Sequence, residues 1–227
     1  MSSADPIRSA ATRREAPSPA DALDRFGVVA SRTKVDLELY VGLLTEWQRV
    51  HNLVSRAALD DVWVRHVADS FQLLNHAPDF REWVDLGSGA GFPGLVIAIA
   101  NKDSSERHFS LVESNAKKAA FLRAAIRETG ANATVIAERI EVHAQKMAGR
   151  ADVISARALA PLPALLGLAA PYAHAESVML FLKGREYVQE LDAVSQSWAF
   201  DVVDYASATD SGGRVLAIRN LSQKARP

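Results

Sequence analysis

The residues that could do chemistry lie together in Trp83-Val84-Asp85-Leu86-Gly87-Ser88-Gly89-Ala90-Gly91-Phe92-Pro93-Gly94. A short apolar run ends in a carboxylate, four glycines fall within eight residues, and Leu95-Val96-Ile97-Ala98-Ile99-Ala100 restarts an apolar pattern. That order reads as strand, glycine turn and helix, the unit in which α/β proteins bind a nucleotide-like ligand. Glycine lets the backbone turn sharply and lets a ligand approach it with no Cβ in the way. The next helix directs unpaired N–H groups at whatever anionic or polar group sits there. Asp85, just ahead of the turn, is expected to face the ligand. Its carboxylate suits a cationic group and repels a diphosphate, at a cost of about 1 kcal/mol in water and several where screening is weaker. Glu113 closes the next apolar run and is placed to accept two ribose hydroxyl protons.

Those groups need a sheet to carry them, and the flanking sequence supplies one. Glu82–Leu86, Arg107–Glu113, Ala133–Ala137, Ala151–Ser155, Ser177–Leu182, Phe200–Tyr205 and Arg214–Arg219 read as strands. Phe92–Asn101, Asn115–Thr129, a short segment near Glu141, Leu162–Ala170 and Gly184–Ser197 read as helices, with Gly130 stopping the second. Strand and helix in alternation predict a parallel sheet with helices on both faces. The last two strands are joined by a loop holding Asp210-Ser211-Gly212-Gly213, too short for a crossover helix, so they must pair as an antiparallel hairpin. Ahead of this domain, 81–227, residues 21–80 read as a helical extension. Thr33-Lys34-Val35-Asp36 resembles a capping box, opening a helix with Leu37, Tyr40, Val41, Leu44 and Trp47 at helical spacing. A second helix is expected from about Asp60 to Leu74, and residues 1–20 read as a disordered tail.

With 227 residues, 48% of them hydrophobic and 23% charged, the chain can bury a sizeable core. A net charge of −1 supplies no global positive field, which argues against a general nucleic-acid coat. It leaves room for an enzyme that docks on one structured RNA through a local basic face. The absence of cysteine excludes disulfides, thiolate metal sites, iron–sulfur clusters and a cysteine nucleophile. The N-terminus lacks the apolar core of a signal peptide, and no run reaches the length of a membrane span. A cytoplasmic monomer without metal or membrane partner is expected.

Gly89-Ala90-Gly91-Phe92-Pro93-Gly94 also satisfies G-x-G-x-x-G, so an NAD-dependent oxidoreductase is the rival reading. Asp85 and the terminal hairpin weigh against it. A doubly wound, mostly parallel seven-stranded sheet ending in such a hairpin resembles the class I S-adenosylmethionine methyltransferases, a Rossmann-like fold whose cofactor carries a sulfonium and no phosphate. Lack of cysteine rules out pyrimidine C5 methylation through a covalent thioether. Ser155-Ala156-Arg157-Ala158 stands where exocyclic-amine methyltransferases resemble one another in an Asn/Asp-Pro-Pro-aromatic loop. What remains is an acceptor that needs no strong base. Purine N7 is one, with an in-plane lone pair exposed on the major-groove edge.

Further segments sharpen this. Trp47-x-x-x-x-Asn52-Leu53-x-Ser55, Val64-Arg65-His66-x-x-Asp69-Ser70 and Asp85-x-Gly87-x-Gly89-x-Gly91-Phe92-Pro93-Gly94 occur in order. Glu113-Ser114-x-x-Lys117-Lys118-x-x-Phe121-Leu122, Arg139-Ile140-Glu141, Ala156-Arg157-Ala158 and Leu182-Lys183-Gly184 follow. From about residue 45 to 185 the chain resembles the bacterial small-subunit ribosomal RNA guanine-N7 methyltransferases, also called glucose-inhibited division protein B. The resemblance implies S-adenosylmethionine as cofactor and 16S ribosomal RNA, free or in the assembled small subunit, as partner. It implies a cofactor pocket of Gly87, Phe92, Ile140, Glu141 and Arg157, to which the residue reading adds Glu113, where the family often has Asp. Arg157 would hold the cofactor carboxylate or the incoming guanine phosphate. Catalysis is then positioning, with Arg157, Arg65 and His66 as candidates. The spacing of His66 and Asp69 reads as a buried hydrogen-bonded pair rather than a metal site. Arg65 is set to contact RNA or the cofactor carboxylate; Lys117, Lys118 and Arg123 are candidate phosphate contacts or simply a solvated helix face. A non-catalytic RNA-binding assembly factor on the same scaffold is the remaining alternative.

Overall fold

Alternating apolar side chains build the sheet and explain why both its faces are covered. In this computed structural model, which describes residues 22–27 and 29–224, the strands are β1 Glu82–Leu86, β2 His108–Val112, β3 Ala133–Ile136, β4 Ala151–Arg157, β5 Ala173–Lys183, β6 Trp198–Ala206 and β7 Arg214–Gln223. Their order is β3-β2-β1-β4-β5-β7-β6. Strands β1 to β5 pair in parallel, and β7 runs antiparallel between β5 and β6. The expected hairpin is present, with its second strand inserted in the sheet and its first on the edge. The tail at residues 1–20 lies outside the described residues.

The helices are α1 Ser31–Gln48, α2 Arg56–Asp60 and a composite α3 over 63–75, followed by α4 Gly94–Ala100, α5 Ala116–Thr129, α6 Ile140–Ala144, α7 Leu162–Ala169 and α8 Tyr187–Ser195. Trp83, Phe109, Leu111, Val153 and Leu180 point to the face covered by α1, α3, α4 and α5. Their strand neighbours Val84, Val112, Ile154, Met179 and Phe181 point to the face covered by α6, α7 and α8. This is the period-two signature of strands buried on both sides. Each fully buried Leu, Ile or Val contributes about 1.5–3 kcal/mol to holding the layers together. Asn115 caps α5 by accepting from the Lys117 and Lys118 N–H groups at 3.0 and 3.2 Å, and Gly130 ends it in a left-handed conformation.

The helical extension departs from the expectation in two places. Helix α1 starts at Ser31 after Ala30, with no side-chain cap, so Thr33 and Asp36 form no capping box. Asp36 instead pairs with Lys102 at the end of α4, a tertiary contact that overrides the local motif. The single helix expected over Asp60–Leu74 is broken. Ser55 caps α2 by accepting from Ala58 N–H, and α3 begins after Asp61 as a π turn, Trp63–Ala68, continuing as Asp69–Phe71 and a 3-10 turn, Gln72–Asn75. Within it Asp69 N–H reaches back to the Val64 carbonyl, a wider loop than an α-helix makes. Apolar spacing carries no mark of such a turn.

Candidate functional site

The carboxyl ends of β1, β2 and β4 meet where the strand order reverses, and a crevice opens outside them. The glycine turn after β1 is braced from three sides. Ser88 N–H donates to the Val112 carbonyl at 3.0 Å, tying the turn to β2. Glu113 accepts from Gly89 N–H at 2.9 Å with one carboxylate oxygen and from Asn115 N–H at 2.7 Å with the other. From α1, the buried Tyr40 hydroxyl donates to the Ala90 carbonyl at 2.6 Å. That bond fixes the helical extension onto the turn and gives α1 a part in shaping the site.

Asp85 does not face the crevice, which corrects the sequence expectation. Its side chain is 0% exposed and points back under the turn. It accepts from Ser155 Oγ–H at 2.6 Å and from Gly94 N–H at 3.2 Å, while Ser155 Oγ accepts from Trp83 Nε1–H at 2.8 Å. Burial pushes its carboxyl up to about 6, against the opposing pull of these hydrogen bonds. Gly94 makes the close approach possible: a Cβ there would lie 2.5 Å from Asp85 Cβ and 2.6 Å from a Leu111 methyl. Asp85 is a brace beneath the turn and lines no part of the cleft.

A first cleft of about 290 Å³ is lined by Gly87, Val112, Glu113, Ile140, Glu141 and Ala158, with Leu159, Lys118, Glu138 and Arg139 among their neighbours. Four of the six expected pocket residues therefore share one cleft. Phe92 and Arg157 are not among its lining residues. Phe92 is 7% exposed and stacks on the His66 ring at 4.7 Å, with Tyr40 at 5.6 Å. Lys117 and Arg123 lie on the exposed surface of α5, away from that lining.

Arg157, leaving β4, lines a second cleft of about 480 Å³ and an adjoining one of about 420 Å³ that also takes in Arg65. Its guanidinium is held from two directions by α3. It donates to His66 Nδ1, and its Nε lies 3.4 Å from an Asp69 carboxylate oxygen. The expected His66–Asp69 hydrogen bond is not formed, because each turns to Arg157 instead. Burial, then the charges of Arg157 and Arg65, hold His66 down to about 3, so its ring is neutral and Nδ1 is free to accept. Asp69 also accepts from Thr209 Oγ1–H at 2.6 Å and Gln72 Nε2–H at 2.7 Å, and Gln72 Oε1 accepts from Ala208 N–H at 2.9 Å. The hairpin loop is thus fastened to α3 and, through Asp69, to Arg157.

Ala158, the next residue, lines both the 290 Å³ and the 480 Å³ clefts. Its φ of 49° is a left-handed conformation that costs a non-glycine residue about 1 kcal/mol or more. Ala158 thus forms part of the wall of both clefts. Ser207 and Thr209 were not singled out by the sequence, and Tyr40 was read there only as an apolar position of α1. Asp69 was read as a partner of His66, but its partner Thr209 lies 140 residues away and carries no motif.

The chain matches the profile of the family described as GidB, rRNA small subunit methyltransferase G, over residues 33–219. It is 46% identical over 207 residues to Ribosomal RNA small subunit methyltransferase G of Methylobacterium sp. (strain 4-46), covering 91% of this chain and 97% of that one. The protein of the same name from Methylorubrum populi is 48% identical over 195 residues, covering 86% and 92%. Among solved structures, an O-methyltransferase from Bacillus cereus in complex with SAH aligns with a TM-score of 0.55 at 15% identity, covering 87% of this chain and 94% of that one. The O-methyltransferase TomG from Streptomyces achromogenes in complex with SAM gives 0.56 at 13% identity, covering 81% and 89%. These neighbours establish the class I methyltransferase fold.

Proposed function

We propose that this chain, which belongs to the rRNA small subunit methyltransferase G family, transfers a methyl group from S-adenosylmethionine to N7 of a guanine in 16S ribosomal RNA. The observation that carries this reading is the family match over residues 33–219, a span that contains every residue lining both clefts.

The first cleft fits the cofactor. Gly87, at φ +65°, leaves its floor bare, where a Cβ would meet a Leu159 methyl at 2.6 Å. Val112, Ile140 and Leu159 offer apolar walls for a purine, and each Glu113 oxygen keeps a lone pair for a ribose hydroxyl. A diphosphate is poorly served: Glu113 already takes the Gly89 N–H, and Glu138 and Glu141 border the same space. These three carboxylates, rather than Asp85, weigh against an oxidoreductase. Bound there, S-adenosylmethionine supplies an electrophilic methyl group on a sulfonium sulfur.

The chain's own part is to position. Guanine N7 needs no proton removed at neutral pH, so alignment and exclusion of water carry the rate. Arg157, locked between His66 and Asp69, is placed to hold an acceptor oxygen, with Arg65 on the outer rim for phosphate. No helix among the described residues is long and apolar enough to cross a membrane. A cytoplasmic monomer acting on RNA, or on an assembled subunit that supplies shape, completes the reading.

Small subunits incubated with the protein and labelled S-adenosylmethionine should yield 7-methylguanosine in nucleoside mass spectrometry, at a rate nearly flat through neutral pH. Absence of label in the RNA, or label in another nucleoside, defeats the proposal. RNA binding without any transfer would favour the assembly-factor alternative.

A further inference from the structure

The 480 Å³ and 420 Å³ clefts flanking Arg157 have three residues in common: Asp69, Arg157 and Asp210. Asp69 is spent on Arg157, Gln72 and Thr209. Glu190, which also lines the larger cleft, is taken up by Lys183 at 2.6 Å. Asp210, on the exposed hairpin loop, has no cation within 4 Å among the described residues, although arginines line the same space. One of its oxygens accepts Gly212 N–H at 2.9 Å, which leaves the other uncommitted. A fixed donor and a free acceptor therefore border one cavity, and Ala158 lines both that cavity and the first cleft.

We propose that this cavity is the acceptor-base site and that Asp210 selects guanine in it, accepting from the N1–H and the 2-amino group while Arg157 donates to O6. The inference rests on the methyltransferase reading above and adds to it the means of choosing the base. Carboxylates only accept, and the guanine edge presents two adjacent donors to them. Adenine presents a ring-nitrogen lone pair at the same place, which a carboxylate repels. The arrangement also favours the transition state. As N7 gains the methyl group the ring becomes cationic and N1–H more acidic, so its bond to Asp210 strengthens while the reaction proceeds.

The substitution Asp210→Asn separates this role from loop shape, because the amide oxygen still accepts Gly212 N–H and the turn survives. We expect kcat for methyl transfer to small subunits to fall roughly 30-fold, as for loss of a charge-assisted bond made best in the transition state. Cofactor affinity and melting temperature should stay unchanged, and Glu106→Gln, exposed and lining neither cleft, should leave kcat as it is. A second measurement does not depend on turnover. With S-adenosylhomocysteine present, ligand-observed NMR should show guanosine monophosphate binding, inosine monophosphate about 5-fold weaker for want of the 2-amino group, and adenosine monophosphate not at all. In Asp210→Asn the guanosine and inosine nucleotides should bind alike. A variant with wild-type kcat, an unchanged guanosine-to-inosine ratio, or wild-type protein indifferent to all three nucleotides overturns the assignment. Failure of wild-type protein to methylate small subunits while the nucleotide preference holds would strike the methyl-transfer reading alone.

Discussion

Replacing Asp85 with asparagine tests the brace beneath the glycine turn. The carboxyl is wholly enclosed, receives Ser155 Oγ–H and Gly94 N–H, and titrates at about 6 in the fold against 3.8 as a free side chain. The folded protein therefore binds this proton more tightly than the unfolded chain does. Stabilisation is complete below the unfolded value and is lost as pH rises through the folded one. The gap between those two values corresponds to about 3 kcal/mol. Asp85→Asn cannot titrate. The stability difference, wild type minus variant, should fall by about 3 kcal/mol between about pH 3 and pH 7. Urea unfolding followed by tryptophan fluorescence reads this as a shift in relative midpoint of about 1 M. Cofactor affinity should change little in the variant, because the side chain lines neither cleft. A difference that stays flat across that pH range would mean an ordinary, wet or ligand-facing carboxylate, and the brace would be refuted.

His66 carries the opposite sign. Held down to about 3 from 6.5, its neutral form contributes stability that is fully present above 6.5 and lost as pH falls toward 3, so His66→Gln should blunt acid unfolding measured in the same titration. Gly94→Ala puts a methyl into the Asp85–Leu111 contact and should cost about 1–3 kcal/mol in chemical denaturation, with transfer activity falling alongside. Gly87→Val forces a β-branched residue into a left-handed backbone and fills the floor of the first cleft; calorimetry should show S-adenosylmethionine binding weakened at least tenfold (roughly 1.4 kcal/mol). Thr209→Val keeps the shape but removes the bond to Asp69; kcat should drop about tenfold with KM nearly constant, and Thr209→Ser should restore it.

Much of the architecture was readable because it is written locally. Strand and helix differ in apolar period, and the Gly130 stop and the Asp210–Gly213 hairpin loop follow from short-range backbone chemistry. In the first cleft Glu113 was readable from its place at a strand end, whereas Gly87, Ile140 and Glu141 came from the family resemblance. What could not be read depends on side-chain direction or distant partners. Asp85 looked outward until Ser155, placed opposite it on β4, supplied an inward donor. Phe92 packs between Tyr40 and the π turn bearing His66, partners distant in sequence that no local pattern announces. The insertion of β7 between β5 and β6 obeys no local signal, because antiparallel pairing alone permits either strand at the edge.

That insertion has a consequence for biogenesis. Any polypeptide interrupted ahead of Arg214 forfeits an interior member of the sheet, leaving Met179–Lys183 with an open ladder and Val215, Leu216 and Ile218 missing from two packed layers. The sheet therefore cannot close while its seventh strand is still being synthesised. Since the same hairpin carries Thr209 and Asp210, nascent fragments should have no partial activity, and function should emerge together with the finished fold.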